Sequence, residues 1–316
     1  MKQRIITGIL IVLIFLPILM VDQLFPLFQL TMILLTGVAS YELIKMYNKE
    51  KEISGTVKAI IMICSMAIYL AALVEWTPNS IPQATLELFN INLKFLPITI
   101  LVVLILFMCS VFSENFDGAD VGKALTVVMY SGLGFASVTI LKYLGLRYIV
   151  FLFIVTVLTD VFAYFTGMLF GKHKMAPKIS PKKTWEGAIG GTVIATAIGA
   201  TFATCYGKLF GDFFGSQNTL LDGIVDTNNL SMVAIVIILI VITILTSIIS
   251  QIGDLVASRL KRTYDIKDFG NIFPGHGGVL DRLDSALFAS MFILAVFTFL
   301  NYLLPITTNG NLGMII

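Results

Sequence analysis

The sequence predicts an all-α, polytopic integral membrane protein of about nine spanning helices with a cytoplasmic N-terminus, and three observations carry that expectation. The first is composition: of 316 residues, 57% are hydrophobic and only 13% charged, with a mean hydropathy of +0.94, whereas soluble domains carry about 25% charged residues. The second is the recurrence of apolar runs of 17 or more residues, each long enough to cross the roughly 30 Å hydrocarbon core as a helix. The third is the placement of lysine and arginine. A β-barrel would instead show alternating strands of about ten residues, a pattern the chain lacks.

The first run, 5–21, follows Lys2 and Arg4. It exceeds the usual 7–15-residue signal core and no small-x-small site follows it, so it is expected to be a retained helix. The runs 25–44, 57–75, 95–112 and 124–141 have short connections and few charges inside the membrane. With the first they make an N-terminal membrane region, 1–145, of five helices. The runs 149–170, 188–207, 231–256 and 285–304 make a C-terminal region, 146–316, of four helices and two cytoplasmic motif loops. Stretches 76–94 and 208–230 carry no motif and are expected to pack or lie at the interface. Cys64, Cys109 and Cys205 show no CxxC or Cys/His spacing and are expected to be small buried hydrophobes.

Cytoplasmic loops retain basic residues. With the N-terminus inside, 17 of the 21 lysines and arginines fall on the inner side, leaving Lys94, Lys142, Arg147 and Lys208 outside.

Three places break the apolar pattern. Asp160 lies near the middle of its run, where an acid costs roughly 2.5–3.5 kcal/mol and usually faces a polar cavity. Thr156, Asp160, Tyr164 and Gly167 share its helical face. The alternative is a helix–helix hydrogen bond.

The second place is KHKMAPKISPKKTWEGAIGG, 172–191, with Lys172, Lys174, Lys178, Lys182 and Lys183 against one acid, Glu186. The positive-inside rule alone explains the charge. It does not explain Ser180, Pro181, Thr184 and Trp185. Thr184 suits an N-cap, and the helix start beyond it points N–H groups and a positive dipole end outward, making an anion-binding corner.

The third place is 247–285. Ser247, Ser250, Gln251, Asp254 and Ser258 form a polar stripe at three- and four-residue spacing. Arg259, Lys261 and Arg262 follow, then Asp265, Lys267 and Asp268, and Phe273-Pro274-Gly275 breaks any helix. After His276, Gly277 and Gly278, a helix starting near Asp281 would gather Asp281, Asp284 and Ser285 on one face. Carboxylates with few histidines suit Mg²⁺, which takes one or two protein carboxylates plus substrate phosphates and water. The glycines let phosphates approach main-chain N–H groups. Against this stand plainer readings: His276 as a hydrogen-bond donor, Asp265 and Asp268 as a solvated turn, and Asp281 with Arg282 as an ion pair.

The run SRLKRTYDIKDFGNIFPGHGGVLDRLDS, 258–285, closely resembles the signature of phosphatidate cytidylyltransferases, also called CDP-diacylglycerol synthases, with its Ser, Lys-Arg, Lys-Asp, His-Gly-Gly and Asp-Arg-x-Asp elements. SPKKTWEG, 180–187, resembles a second motif of that family. The resemblance implies a magnesium-assisted reaction of phospholipid biosynthesis, in which the phosphate of phosphatidic acid attacks the α-phosphorus of CTP and pyrophosphate leaves. It implies Asp254 and Asp281 as magnesium ligands, with a monovalent cation as a candidate companion. It also implies Asp284 as their support, Asp160 in the cavity, and Lys182, Lys183 and Arg282 on the triphosphate. Ser258, Lys261 and Arg262 would meet the lipid phosphate. Ser180, Thr184, Lys267, Asp268, His276, Gly277 and Gly278 complete the substrate-binding set. The partners implied are CTP, phosphatidic acid and membrane lipids, not nucleic acid, with a second copy of the chain as a candidate. The expected location is the plasma membrane, with the site on its cytoplasmic face. The rival readings are a CTP-dependent polyprenol kinase and an ion-coupled transporter using Asp160 and Asp254.

Overall fold

The structure is a computed structural model and describes residues 13, 15–77, 94–210, 219–273, 277–304, 307, 308, 311 and 312. Among the described residues, eight helices are long and apolar enough to cross a membrane. They correspond to the second through ninth expected spans. Of the first, 5–21, residues 5–12 and 14 lie outside the described residues, and 15–20 are helical.

The chain divides into two compact units, Met1–Tyr143 with Arg259–Leu283, and Leu144–Ser258 with Asp284–Ile316. Segment 259–283 lies in the first of these units.

In the first unit, α1 (Phe25–Tyr47) starts with a proline in its first turn, where the missing N–H costs nothing. The next helix, α2 (Gly55–Trp76), is capped by Ser54, whose hydroxyl accepts from Val57 N–H. The first N–H of α3 (Phe95–Phe112) donates to the Glu75 carboxylate at 2.7 Å, and the helix is apolar apart from Thr99 and Ser110. Asp117 and Asp120 form a reciprocal capping box at the start of α4 (Gly118–Leu144). Lys51 reaches both acids, at 2.8 and 2.9 Å, and its ammonium helps hold the Asp117 carboxyl below its ordinary range. Within α4, Val128–Leu133 forms a π turn. There Ser131 meets Ser40 of α1 at 2.7 Å, and a Cβ on Gly132 would lie 2.6 Å from the Ser65 carbonyl of α2. Close backbone approach and buried hydroxyl pairs are how membrane helices associate without a hydrophobic driving force.

In the second unit, α5 (Leu146–Phe170) is followed by a short antiparallel hairpin, β1 (Lys174–Ala176) and β2 (Ser180–Thr184). It leads directly into α6 (Trp185–Phe210). Helices α5 and α6 pack at backbone distance, since a Cβ on Gly187 or Gly191 would lie 2.6 Å from the carbonyl of Ala163 or Thr159. The expected polar stripe joins α7 (Met232–Thr263) to both. Ser247 meets Thr159 at 2.8 Å and donates to Thr192 at 3.1 Å, and Gln251 donates to Thr192 at 2.9 Å. Bonds of this kind contribute about 0.6 kcal/mol each in a bilayer. The last long helix is α8 (Leu280–Leu303), whose Asn301 holds the connection before α7 by donating to the Ile224 carbonyl at 2.6 Å.

Two helices outrun the apolar windows that locate them. Helix α7 continues to Thr263, past the end of its apolar window at 256, and α8 begins at Leu280, ahead of its window at 285 and beside the start near Asp281 that the Phe-Pro-Gly break predicts. Hydropathy marks only the hydrocarbon-facing stretch, whereas a helix persists until its end groups find other partners. Asp254, Ser258, Lys261 and Arg262 therefore all ride on α7, and Asp281, Asp284 and Ser285 fall on the first turns of α8.

Candidate active site

The second unit holds a cavity of about 290 Å³ whose polar lining includes Asp160, Lys182, Lys183, Thr184, Gln251 and Asp254. Each arrives from a different local device. Asp160 comes from mid-α5, where Ser285 of α8 donates to it at 3.4 Å. Tyr164 and Gly167 of the same face also line the cavity, while Thr156 turns back to the Leu152 carbonyl of its own helix at 2.9 Å. Lys182 and Lys183 come from β2, which the hairpin folds back. Thr184 is the N-cap the sequence suggests: its hydroxyl accepts from Gly187 N–H at 3.2 Å. Glu186, in the first turn of α6, accepts from the backbone of His173 and meets its Nδ1 at 2.6 Å. That contact closes the base of the hairpin and occupies the loop's single acid, leaving its lysines as the balance of charge.

Asp254 sits at the charged centre of this cavity. Lys183 Nζ lies 2.6 Å from its Oδ2, both side chains being about a quarter exposed at 25% and 30%, and Ser258 donates to its Oδ1 at 3.3 Å. Asp160 is exposed to the cavity. Asp284 is buried, and its carboxylate accepts from Ser285 N–H at 2.8 Å.

The first unit holds the other cluster. Asp281 takes the Lys261 ammonium at 2.7 Å on Oδ1 and the N–H groups of Phe269 and Gly278, at 2.8 and 2.9 Å, on Oδ2. Its partner is therefore Lys261. Lys261 Nζ also lies over the Phe269 ring, 5.0 Å from its centroid. Phe273 and Gly277 pair across the loop, with Gly277 at φ 91°, a left-handed conformation that glycine adopts without a Cβ clash. Lys267, Asp268 and Arg282 are exposed, as is Arg262, which donates to the Ile266 carbonyl at 3.4 Å. His276 lies outside the described residues.

Sequence reasoning missed Glu42. This α1 acid is 2% exposed, and its carboxylate accepts from Val279 and Leu280 N–H at 3.0 and 3.1 Å. The available signal was that Glu42 is the sole charged residue within the apolar run 25–44.

Among the described residues, no three or more His, Cys, Asp or Glu side chains gather as a metal cage. That excludes a zinc-type donor set from the described residues and leaves room for magnesium, which needs few protein ligands. Asp254 and Asp281 each already hold one ammonium, which a magnesium ion bound there would have to displace.

Comparison with known proteins gives one consistent answer. Residues 2–300 match the cytidylyltransferase family. A phosphatidate cytidylyltransferase of Staphylococcus haemolyticus is 37% identical over 291 residues, covering 91% of this chain and 95% of that protein. One from Bacillus subtilis is 33% identical over 308 residues, covering 94% and 99%. Another from Staphylococcus aureus is 35% identical over 291 residues, covering 91% and 95%. With its basic hairpin and charged cavity among membrane helices, the chain belongs to the cytidylyltransferase family.

Proposed function

We propose that the chain is a phosphatidate cytidylyltransferase, converting CTP and phosphatidic acid to CDP-diacylglycerol and pyrophosphate. The observation that carries this reading is a shared wall. Beside the charged cavity lies an almost wholly apolar groove of about 440 Å³ between α6 and α7, and Met175, Ala188 and Gln251 line both. A lipid with an anionic head and apolar tails matches that pair of surfaces, with its head at the mouth of the charged cavity and an acyl chain along Ile189, Val193 and Ile252.

The lipid phosphate is already an anion, so its oxygen can attack the α-phosphorus without a strong general base. The chain's task is then placement and charge neutralisation. Lys182 and Lys183, with the N-terminal end of α6 behind them, balance the triphosphate and the departing pyrophosphate. Lys183 is held ready by Asp254. Asp254 and Asp281 are the proposed magnesium ligands, their pairing on one ion resting on the family resemblance. When bound, that ion would neutralise charge on the phosphoryl oxygens. The basic segments 171–187 and 257–284 support a cytoplasmic active face, and the proposed location is the plasma membrane.

Purified protein in detergent, given labelled CTP and phosphatidic acid, is expected to form labelled CDP-lipid and to stop when a chelator removes magnesium. A phosphorylated polyprenol as product would instead identify a lipid kinase. The groove makes a separate expectation. Ile189→Trp should fill it and lower kcat/KM for long-chain phosphatidic acid at least about tenfold more than for the dioctanoyl form, the low end of the scale on which apolar pockets discriminate chain length. Equal losses on both substrates would remove the acyl chain from the groove.

A further inference from the structure

Glu42 has no part in the chemistry above, yet it is the most deeply buried acid of the first unit's loop cluster. A buried carboxylate costs several kcal/mol unless its lone pairs are satisfied. Here the partners are two consecutive backbone N–H groups, those of Val279 and Leu280, where α8 begins. A carboxylate at a helix N-terminus meets unsatisfied donors and the positive end of the dipole together.

The glycines of the same loop fit this arrangement. A Cβ on either Gly270 or Gly278 would collide with the Glu42 carboxylate. Asp281 fastens the same segment from the other side, through Phe269 and Gly278 N–H. Phe269 and 278–280 are thus held by two acids, each taking two backbone donors, and Asp281 is one of the two.

We propose that Glu42 is a positioning residue for nucleotidyl transfer: it fixes the start of α8 and the loop before it, and so sets the direction in which Asp281 presents its carboxylate. The inference rests on the transferase reading but not on any contact of Glu42 with substrate.

The test has one arm that needs neither substrate nor metal. In purified, metal-free protein, Glu42→Ala should speed amide exchange across 269–282 by at least about tenfold, because the donors at Val279 and Leu280 lose their acceptor, while α2 and α3 keep wild-type protection. In turnover assays kcat should fall about fivefold with the KM for CTP little changed, the mark of a misplaced group rather than a lost substrate contact. Gly278→Ala should also impair turnover, and its loss combined with Glu42→Ala should be less than the sum, since the clash it introduces is with the removed carboxylate. Should Glu42→Ala fail to fold, Glu42→Gln carries the test, keeping the volume and one acceptor, with a smaller effect in the same direction.

Wild-type exchange across 269–282 with wild-type kcat in the variant would overturn the inference. A wild-type protein that makes no CDP-lipid would instead sink the transferase reading, and the exchange arm would still stand.

Discussion

Asp254→Asn is expected to abolish nearly all turnover, by at least about a thousandfold or roughly 4 kcal/mol of transition-state stabilisation, in a protein that still inserts and folds. Asn keeps the shape of Asp and can still accept from Ser258, which now donates to Oδ1 at 3.3 Å. What disappears is the negative charge that holds Lys183 at 2.6 Å and that would hold magnesium. Metal-assisted phosphoryl chemistry contributes several kcal/mol, and saturating CTP does not replace a lost ion. Asp281→Asn should be comparably damaging but is the less clean experiment. Its carboxylate is 3% exposed and Lys261 12%, so the amide would leave a mostly buried ammonium unpaired, a structural loss on top of the catalytic one. Asp265→Asn is the control. Asp265 is exposed, and its φ of 48° is a left-handed conformation that asparagine tolerates. Measured kcat with magnesium varied should separate the three. Near-normal magnesium-dependent activity in Asp254→Asn, or an Asp265→Asn loss as deep as that of Asp254→Asn, would show the ligand assignment to be wrong.

The spans and the cavity were legible in the sequence for different reasons. Hydropathy located eight helices because a bilayer imposes a minimum apolar length, and it misplaced the ends of α7 and α8 because a helix end is a hydrogen-bonding event. Asp160, Lys182, Lys183, Thr184 and Asp254 were legible because each breaks a local rule: an acid in an apolar run, a cap before a helix, a polar stripe on an apolar helix. The structure brings these five to one cavity. Long-range pairing left no such mark. Nothing in the spacing of Lys261 and Asp281 says that they meet, or that Glu42 receives N–H groups from a loop 237 residues away. The same holds for segment 259–283, which interrupts the second unit in sequence and groups with the first.

Replacing both Lys182 and Lys183 with Gln is expected to lower kcat/KM for CTP by at least about tenfold, about 1.4 kcal/mol, and the two lysines should not share that loss equally. Lys183 is half-buried and fixed against Asp254, whereas Lys182 is exposed. A fixed charge in a confined site is screened less than a mobile one in water. Lys183→Gln should therefore account for most of the effect, and Lys183→Arg should restore part of it by returning the charge with a different reach. The comparison that decides between phosphate binding and mere membrane charge is Lys172→Gln with Lys178→Gln. These two belong to the same loop and remove the same total charge, but both are exposed and neither lines the cavity. Insertion and orientation should survive in either pair, because the remaining lysines keep the positive-inside bias. If the loop's role is only electrostatic attraction to anionic headgroups, both pairs should weaken activity alike, and both losses should fade with added salt. If Lys182 and Lys183 hold the triphosphate, only that pair should raise the KM for CTP or lower kcat, and most of its loss should persist at high ionic strength. Identical kinetics for the two pairs would return the hairpin to the plain role that the positive-inside rule gives it.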